Sequence, residues 1–263
     1  MKINRKILSA TLKLCMILVL SFGIFTQGTR VFAASNNSSV ISLLNASYES
    51  HYGKVPGQSI SGQVLVKNLA YAKNVTIHYS HNGIDWVDTP ASFYKQISNT
   101  DEVWNFKLSE SLDVGRKYIF AIKYEFNGQV YWDNNNGQNY SIEGTDYNSG
   151  FQIFNNGPVE LYNTNRYFAI NGTDSIYGTI SLQNLGYAKD VDVLYSDDSG
   201  KTYKNVSAMF NNKYNNNSAE NWSFSIDGLP RNSKIELAIR YTVNGQTYLC
   251  NNFGSNFIYN PIN

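Results

Sequence analysis

Cysteine, charge and helical periodicity are what this 263-residue sequence has least of. There are two cysteines, Cys15 and Cys250, and the first falls in an N-terminal stretch that reads as a cleaved leader. The remaining single thiol excludes an internal disulfide and a cysteine-based metal centre. Only three histidines occur, His51, His78 and His81, without ligand spacing; His78 and His81 read as solvated side chains beside a turn. Charged residues are 16% and the formal net charge is +1, too balanced for a nucleic-acid partner. Low charge with 14% aromatics and 42% hydrophobics also argues against an unfolded chain. No long stretch repeats at helical spacing, and the composition is poor for coiled coils or helical bundles. The chain has asparagine instead: 35 of them, against 21 Lys+Arg and 20 Asp+Glu. Its polar surface is therefore built largely from amides and from the hydroxyls of 20 tyrosines, which suit uncharged polar ligands.

Residues 1–33 have the order of a secretory signal. Lys2, Arg5 and Lys6 come first, an apolar run from Cys15 to Leu20 and from Phe22 to Phe25 follows, and Val31-Phe32-Ala33 ends in a small residue. The apolar stretch is too short to span a bilayer comfortably, so the expectation is export and cleavage, with no membrane attachment of the mature chain. The leader takes five cations and no acid, which leaves 16 basic against 20 acidic groups and a net charge of −4.

Beyond the leader one module is written twice. Ile60 to Val75 reads ISGQVLVKNLAYAKNV, and Ile176 to Val191 reads IYGTISLQNLGYAKDV, an offset of 116 residues. Trp104-Asn105-Phe106 answers Trp222-Ser223-Phe224, and Asn127-Gly128-Gln129 answers Asn244-Gly245-Gln246. The period is domain-sized, so each copy is expected to hold its own core. The expected boundaries are 40–143 and 158–260, joined by a short polar linker at 144–157. Val75, Ile77 and Tyr79 alternate with Thr76, His78 and Ser80, and Leu237, Ile239, Tyr241 and Val243 alternate with Ala238, Arg240 and Thr242. Period two with one apolar face means half-buried antiparallel strands, and Asn-Gly turns punctuate them. Seven or eight such strands in about 100 residues fit a β-sandwich. The expected fold is all-β, two tandem antiparallel sandwiches behind a signal peptide.

Trp104 and Trp222, beside Phe106 and Phe224 at period two, read as core. Trp86, after the turn His81-Asn82-Gly83, either plugs the end of the sandwich or lies open as a flat platform; Tyr203 is its counterpart. The run from Tyr131 to Tyr140, YWDNNNGQNY, is a loop because consecutive Asn and Gly oppose a strand interior. Its amides and carboxylate can pair with vicinal sugar hydroxyls beneath an indole, or they can bond the loop's own backbone.

Val66 to Val75, then Tyr124-Glu125 and Asn127-Gly128, then Tyr131 to Tyr140 resemble carbohydrate-binding module family 21. That family occurs in fungal glucoamylases and in glycogen-targeting regulatory subunits of protein phosphatase 1. The resemblance covers nearly all of the mature chain. It implies an immunoglobulin-like sandwich that binds an α-glucan, starch or glycogen, without catalysis or cofactor. It places one aromatic site on Trp86 and Trp132, with Asp133, Asn134, Asn135, Asn136 and Asn139 beside them; a third aromatic of the pattern falls on Ala121 and is missing. It places a second site on Tyr71 and Phe93, with Lys67 and Asn68, while a third aromatic falls near Asp101. In copy two it leaves Tyr187, Tyr203 and Phe210, with Asn251 and Asn252 in a run that has lost Trp and Asp. The phosphatase role needs a docking segment of basic-Val-x-Phe type, and Arg30-Val31-Phe32 lacks the spacer.

Three functions remain in view: a secreted glucan-binding protein working beside a secreted amylase; a hydrolase; and an interaction sandwich with no sugar ligand. A hydrolase needs a carboxylate pair. Glu125 and Asp133 are near in sequence but have no acidic counterpart in copy two. Ser196 to Tyr203 looks like the Asp-box of sialidases, but a single box is a turn.

Overall fold

The computed structural model describes residues 39–51, 57–111, 117–144, 149–168 and 172–261, all within one compact unit that runs from Ser35 to Asn263. The leader expectation lies outside the described residues. Module 1 contains β1 (Ile41–His51), β2 (Gly57–Lys67), β3 (Asn74–Ser80), β4 (Val87–Pro90), β5 (Ser92–Gln96), β6 (Asp101–Ser111), β7 (Lys117–Phe126), β8 (Gln129–Asp133), β9 (Tyr140–Glu143) and β10 (Gly150–Phe154). Module 2 contains β11 (Val159–Phe168), β12 (Thr173–Gln183), β13 (Lys189–Ser196), β14 (Lys204–Ser207), β15 (Met209–Tyr214), β16 (Ala219–Pro230), β17 (Ile235–Val243), β18 (Gln246–Cys250) and β19 (Phe257–Tyr259).

Each module is a sandwich of two antiparallel sheets. In module 1 the strand orders are β10-β1-β2-β6-β5 and β4-β3-β7-β8, with β9 also on β7. Module 2 repeats them as β11-β12-β16-β15 and β14-β13-β17-β18, with β19 on β17. The alternation read from sequence is the cause: Val75, Ile77 and Tyr79 are buried while Thr76 and His78 are half-exposed. Ile60, Val64, Ile77, Phe106, Ile122 and Tyr124 form one core, and Ile176, Ile180, Val193, Phe224, Ile239 and Tyr241 form the other. Each such aliphatic or Phe side chain, fully buried, contributes roughly 1.5–3 kcal/mol. The sheets are also tied by the same bond in both copies, from Tyr124 Oη to Lys67 O (2.8 Å) and from Tyr241 Oη to Gln183 O (2.9 Å). Gly62 and Gly178 are fixed by close approach. A Cβ on either would meet the ring of Phe106 at 2.6 Å or of Phe224 at 2.5 Å, inside any tolerable contact.

The stretch 144–157, expected as a linker, carries a strand. β10 pairs with β1 and extends the first sheet of module 1. Its other contacts belong to module 2: Phe151 O accepts from Tyr214 Oη (2.6 Å), Ser149 O accepts from Asn221 Nδ2 (2.8 Å), and Phe151, Phe154, Tyr214 and Ala219 form a separate apolar cluster. The modules are therefore docked rather than loosely tethered.

A buried polar contact crosses the same interface. Asn45 Nδ2 on β1 donates to Glu160 Oε1 on β11 (3.0 Å), and Cys250 Sγ lies 3.7 Å from Glu160 Oε2. Burial is the main cause that pushes the Glu160 carboxyl up to about 7. A raised folded-state pKa means the folded chain keeps a proton that the unfolded chain has released. Its contribution to stability is full below about pH 4.5 and falls as pH rises to about 7. Glu160→Gln keeps the acceptor and removes the titration. Urea unfolding at about pH 4 and about pH 8 should show the stability difference moving by about 3 kcal/mol in the variant's favour.

Candidate functional site

The outer face of the β4-β3-β7-β8 sheet gathers three rings. Alternation turns His78 of β3 outward, in register with Asp88 on β4 and Ala121 on β7. Trp132 of β8 faces outward opposite Lys123. Trp86 enters β4 from the preceding turn and anchors its indole by Nε1 to Gly83 O (3.2 Å). The His78 imidazole stacks on Trp86, with centroids 4.6 Å apart and planes 8° apart, and meets Trp132 edge-on at 5.6 Å and 75°. Trp132 is 47% exposed. The two indoles thus share one open face at a steep mutual angle, joined through His78, and Trp86 is part of a platform rather than a plug.

Ala121, where the expected third aromatic is missing, sits directly beside His78 in the sheet. His78 Nδ1 is 2.6 Å from Asp88 Oδ1, and Lys123 Nζ reaches Asp88 Oδ2 (3.3 Å) and Glu125 Oε2 (3.2 Å). The bond to His78 holds the Asp88 carboxyl below the usual carboxylate range, with help from Lys123. The reading of His78 and His81 as solvated is corrected on both counts. His81 bonds Lys117 O through Nδ1 (2.8 Å) and packs edge-on against Tyr118 at 4.5 Å, because its turn folds back over the neighbouring strand.

The asparagine run next to Trp132 serves its own loop. Asp133 turns inward: its Oδ2 accepts from Leu43 N (2.7 Å), and both oxygens lie 2.9 Å from Tyr140 Oη. Asn134 Oδ1 accepts from Gly137 N (2.9 Å), and Asn135 Nδ2 donates to Asn139 O (3.2 Å). Asn135, Asn136 and Asn139 take φ of 51°, 57° and 59°, the left-handed region that Asn tolerates. Asn136 projects from the loop, exposed. Asp133, Asn134 and Asn135, expected as sugar contacts, also hold their own loop in shape.

Module 2 builds the same loop without the indoles. Asn251 Oδ1 accepts from Gly254 N (3.0 Å), and Asn252 Nδ2 donates to Asn256 O (3.1 Å). Asn252 also docks on module 1, its Oδ1 accepting from Lys95 Nζ (3.0 Å) and Tyr94 Oη (3.2 Å). Tyr203 is half-buried, its hydroxyl bonded to Glu236 Oε2 (3.2 Å) and Asn256 Nδ2 (3.0 Å). Leu194, in register with Ala238, stands where module 1 has His78, and the exposed Leu249 stands where it has Trp132. Asn251, Asn252 and Tyr203 thus each take part in bonds within the protein. Asp198, the second Asp of the Asp-box stretch, accepts from Lys201 N (3.0 Å) and Thr202 N (2.9 Å), as Asn82 does from Ile84 N (2.8 Å) and Asp85 N (2.9 Å) in module 1.

A second surface is present in both modules. Tyr71 and Tyr187 are fully exposed at the loops after β2 and β12, and Phe93 and Phe210 are half exposed, at 54% and 50%. Behind each pair lies one frame. Lys73 Nζ meets Glu102 Oε1 (2.9 Å), whose Oε2 accepts from Trp104 Nε1 (2.9 Å), and Trp104 stands edge-on to Phe93 at 6.1 Å. Lys189, Glu220, Trp222 and Phe210 repeat it at 2.8, 2.9 and 5.8 Å. The lysines also bond Asn68 and Asn184, pinning the loops that carry the exposed tyrosines. Lys67 is taken by Asp101 (2.6 Å). Trp104 and Trp222, expected as core, are half-buried links between the core and this surface.

Two duplicated sandwiches with ring-bearing outer faces fit one known family closely. The sequence profile of the carbohydrate/starch-binding module (family 21) matches residues 37–143 and 155–260. The chain belongs to family 21. It is similar to glucoamylase 1 of Rhizopus oryzae, 37% identical over 91 residues, which is 33% of this chain and 14% of that protein. It is equally similar to glycogen-binding subunit 76A of Drosophila melanogaster, 37% identical over 89 residues, covering 33% and 13%. Protein phosphatase 1 regulatory subunit 3B of Homo sapiens is 34% identical over 90 residues, covering 32% of each. The matches thus span well under two thirds of these proteins. Among solved structures, the starch-binding domain of Rhizopus oryzae glucoamylase, in complex with beta-cyclodextrin and maltoheptaose, is 32% identical, covers 41% of this chain and 96% of that one, and has a TM-score of 0.32. Within this family 21 tandem, the Tyr–Phe surface is present twice and the double-indole face once. Sequence reasoning missed His78, Lys73, Glu102, Lys189 and Glu220. The available signals were repetition: Glu two residues before Trp in both copies, and Lys73 and Lys189 at matching places in the repeated block.

Proposed function

We propose that this is an exported, non-catalytic protein that binds α-glucan chains of starch or glycogen type through module 1's indole face and through the Tyr–Phe surface of both modules. The observation that carries the reading is the Trp86–His78–Trp132 cluster. Flat rings are fixed on strands at a steep angle, which cradles a curved chain of glucose units against their apolar C–H faces. Hydrolysis finds no support in the carboxylates that the sequence offered. Asp133 is in register with the inward Ile122, whereas Glu125 lies three residues on and faces outward, so the two are on opposite sides of the sheet.

A single such surface binds weakly, with Kd about 1 mM or about −4 kcal/mol. Two surfaces on docked modules raise apparent affinity on a polymer by roughly 10²-fold when both engage. Export rests on the leader-like order of residues 1–33, and an amylase acting on the same polysaccharide is the partner this reading favours. Regulatory phosphatase subunits among the relatives offer another partner, for which Arg30-Val31-Phe32 is a poor docking segment. Native electrophoresis in gels cast with soluble starch or glycogen tests the proposal. Retarded migration relative to a plain gel is expected, and equal mobility in every gel would refute it.

A further inference from the structure

Module 2 has a cleft of about 370 Å³ beside its Tyr–Phe surface, within the range of about 300–1,000 Å³ for small-molecule sites. Trp222, Asp192, Ser207, Arg240 and Thr247 are among the residues that line it. The strands set this group by register. Asp192 of β13 lies opposite Ser207 on β14 and Arg240 on β17. Its Oδ1 accepts from Ser207 Oγ (2.9 Å) and its Oδ2 from the Arg240 guanidinium (2.6 Å). Thr242 and Thr247 face each other across the β17–β18 hairpin, hydroxyls 3.0 Å apart. Trp222 reaches in from the other sheet, so one indole borders both the cleft and Phe210.

Both cations of the lining are paired within the protein, Arg240 with Asp192 and Lys189 with Glu220 behind it, and Asp190 is exposed. A lining whose cations are both paired offers no spare positive charge to an anion and suits a neutral polar ligand. A guanidinium beside a carboxylate presents donors and an acceptor to adjacent hydroxyls, and the indole offers a wall to an apolar ring face. The matching positions of module 1 are Thr76, Pro90 and Lys123, and Lys123 is directed to Asp88 instead. The cleft chemistry thus belongs to the module that lacks the double-indole face.

We propose that this cleft is a subsite for neutral hexose units, continuing the Phe210–Trp222 surface and gripping vicinal hydroxyls through Arg240 and Asp192. It rests on the glucan-binding reading and assigns module 2 its own contacts. The test is calorimetric titration of maltoheptaose into the full chain carrying Phe93→Ala and Trp132→Ala, so that module 2 dominates the heat. Arg240→Gln in that background is expected to weaken binding about tenfold, the worth of a hydrogen bond to a charged group. Thr247→Val, at an exposed position, is expected to weaken it a few-fold, with thermal melts of both variants matching the background. Unchanged affinity in both would overturn the subsite while the glucan reading stands. Absence of any maltoheptaose binding by the unsubstituted chain, with no retardation in starch gels, would remove the glucan reading itself and the subsite with it.

Discussion

Trp132→Ala is expected to raise the dissociation constant of module 1 for maltoheptaose by roughly 30-fold, with only a modest fall in the melting temperature. The magnitude follows from the ring's position. Trp132 is 47% exposed, so about half of the indole is covered and truncation costs about 1–2 kcal/mol of stability, which still leaves a folded chain to titrate. An indole covering a sugar ring is the kind of aromatic anchor whose removal costs about 2 kcal/mol or more of binding. Trp86→Ala should weaken binding similarly. His78→Ala should cost less, about 1 kcal/mol, because the imidazole acts by stacking on Trp86 at 4.6 Å and fixing its plane. Titrations in a chain carrying Phe93→Ala and Phe210→Ala, which silence the second surface in both modules, isolate this face. An unchanged dissociation constant in Trp132→Ala would show that the indoles are not where the glucan lies.

The strands and the outward alternation were legible because period two needs only neighbouring residues, and the duplication because it needs only the sequence laid against itself at an offset of 116. What was not legible depends on strands far apart in sequence. His78 looks like any residue beside a turn until register sets it between Asp88 and Ala121 and below Trp86. β10 is hidden in a polar connection because its pairing partner, β1, is about 100 residues earlier. The asparagine loop was ambiguous for a chemical reason: an amide bonds a sugar hydroxyl and a backbone carbonyl equally well. Left-handed backbone at Asn135, Asn136 and Asn139 brings carbonyls and N–H groups within reach of the loop's own side chains, a geometry that depends on the folded loop rather than on residue type. In module 2 the same loop also meets Lys95 of module 1, a contact that a repeat analysis of isolated copies cannot show.

Glu220→Ala is expected to destabilise the chain by about 3–5 kcal/mol, the largest single effect foreseen. The side chains of Glu220 and Lys189 are each 4% exposed. Removing the carboxylate leaves a buried ammonium with only Asn184 and takes the acceptor from Trp222 Nε1. Glu102→Ala should behave alike in module 1, where Lys73 and Glu102 are 5% and 9% exposed and Trp104 takes the place of Trp222. The double change Lys189→Met with Glu220→Leu should recover most of the loss, since an apolar pair of similar volume is often neutral where a half-pair is not. Urea unfolding of Lys189→Met, Glu220→Leu and the double closes the cycle. Binding separates the frame's second role: Lys189 holds Asn184 and so the loop that presents Tyr187. The double variant is expected to fold yet bind maltoheptaose more weakly at module 2, because that loop has lost its tie. A Glu220→Ala penalty below about 1 kcal/mol would mean that solvent reaches the pair, and that this frame does not set the Tyr–Phe surface.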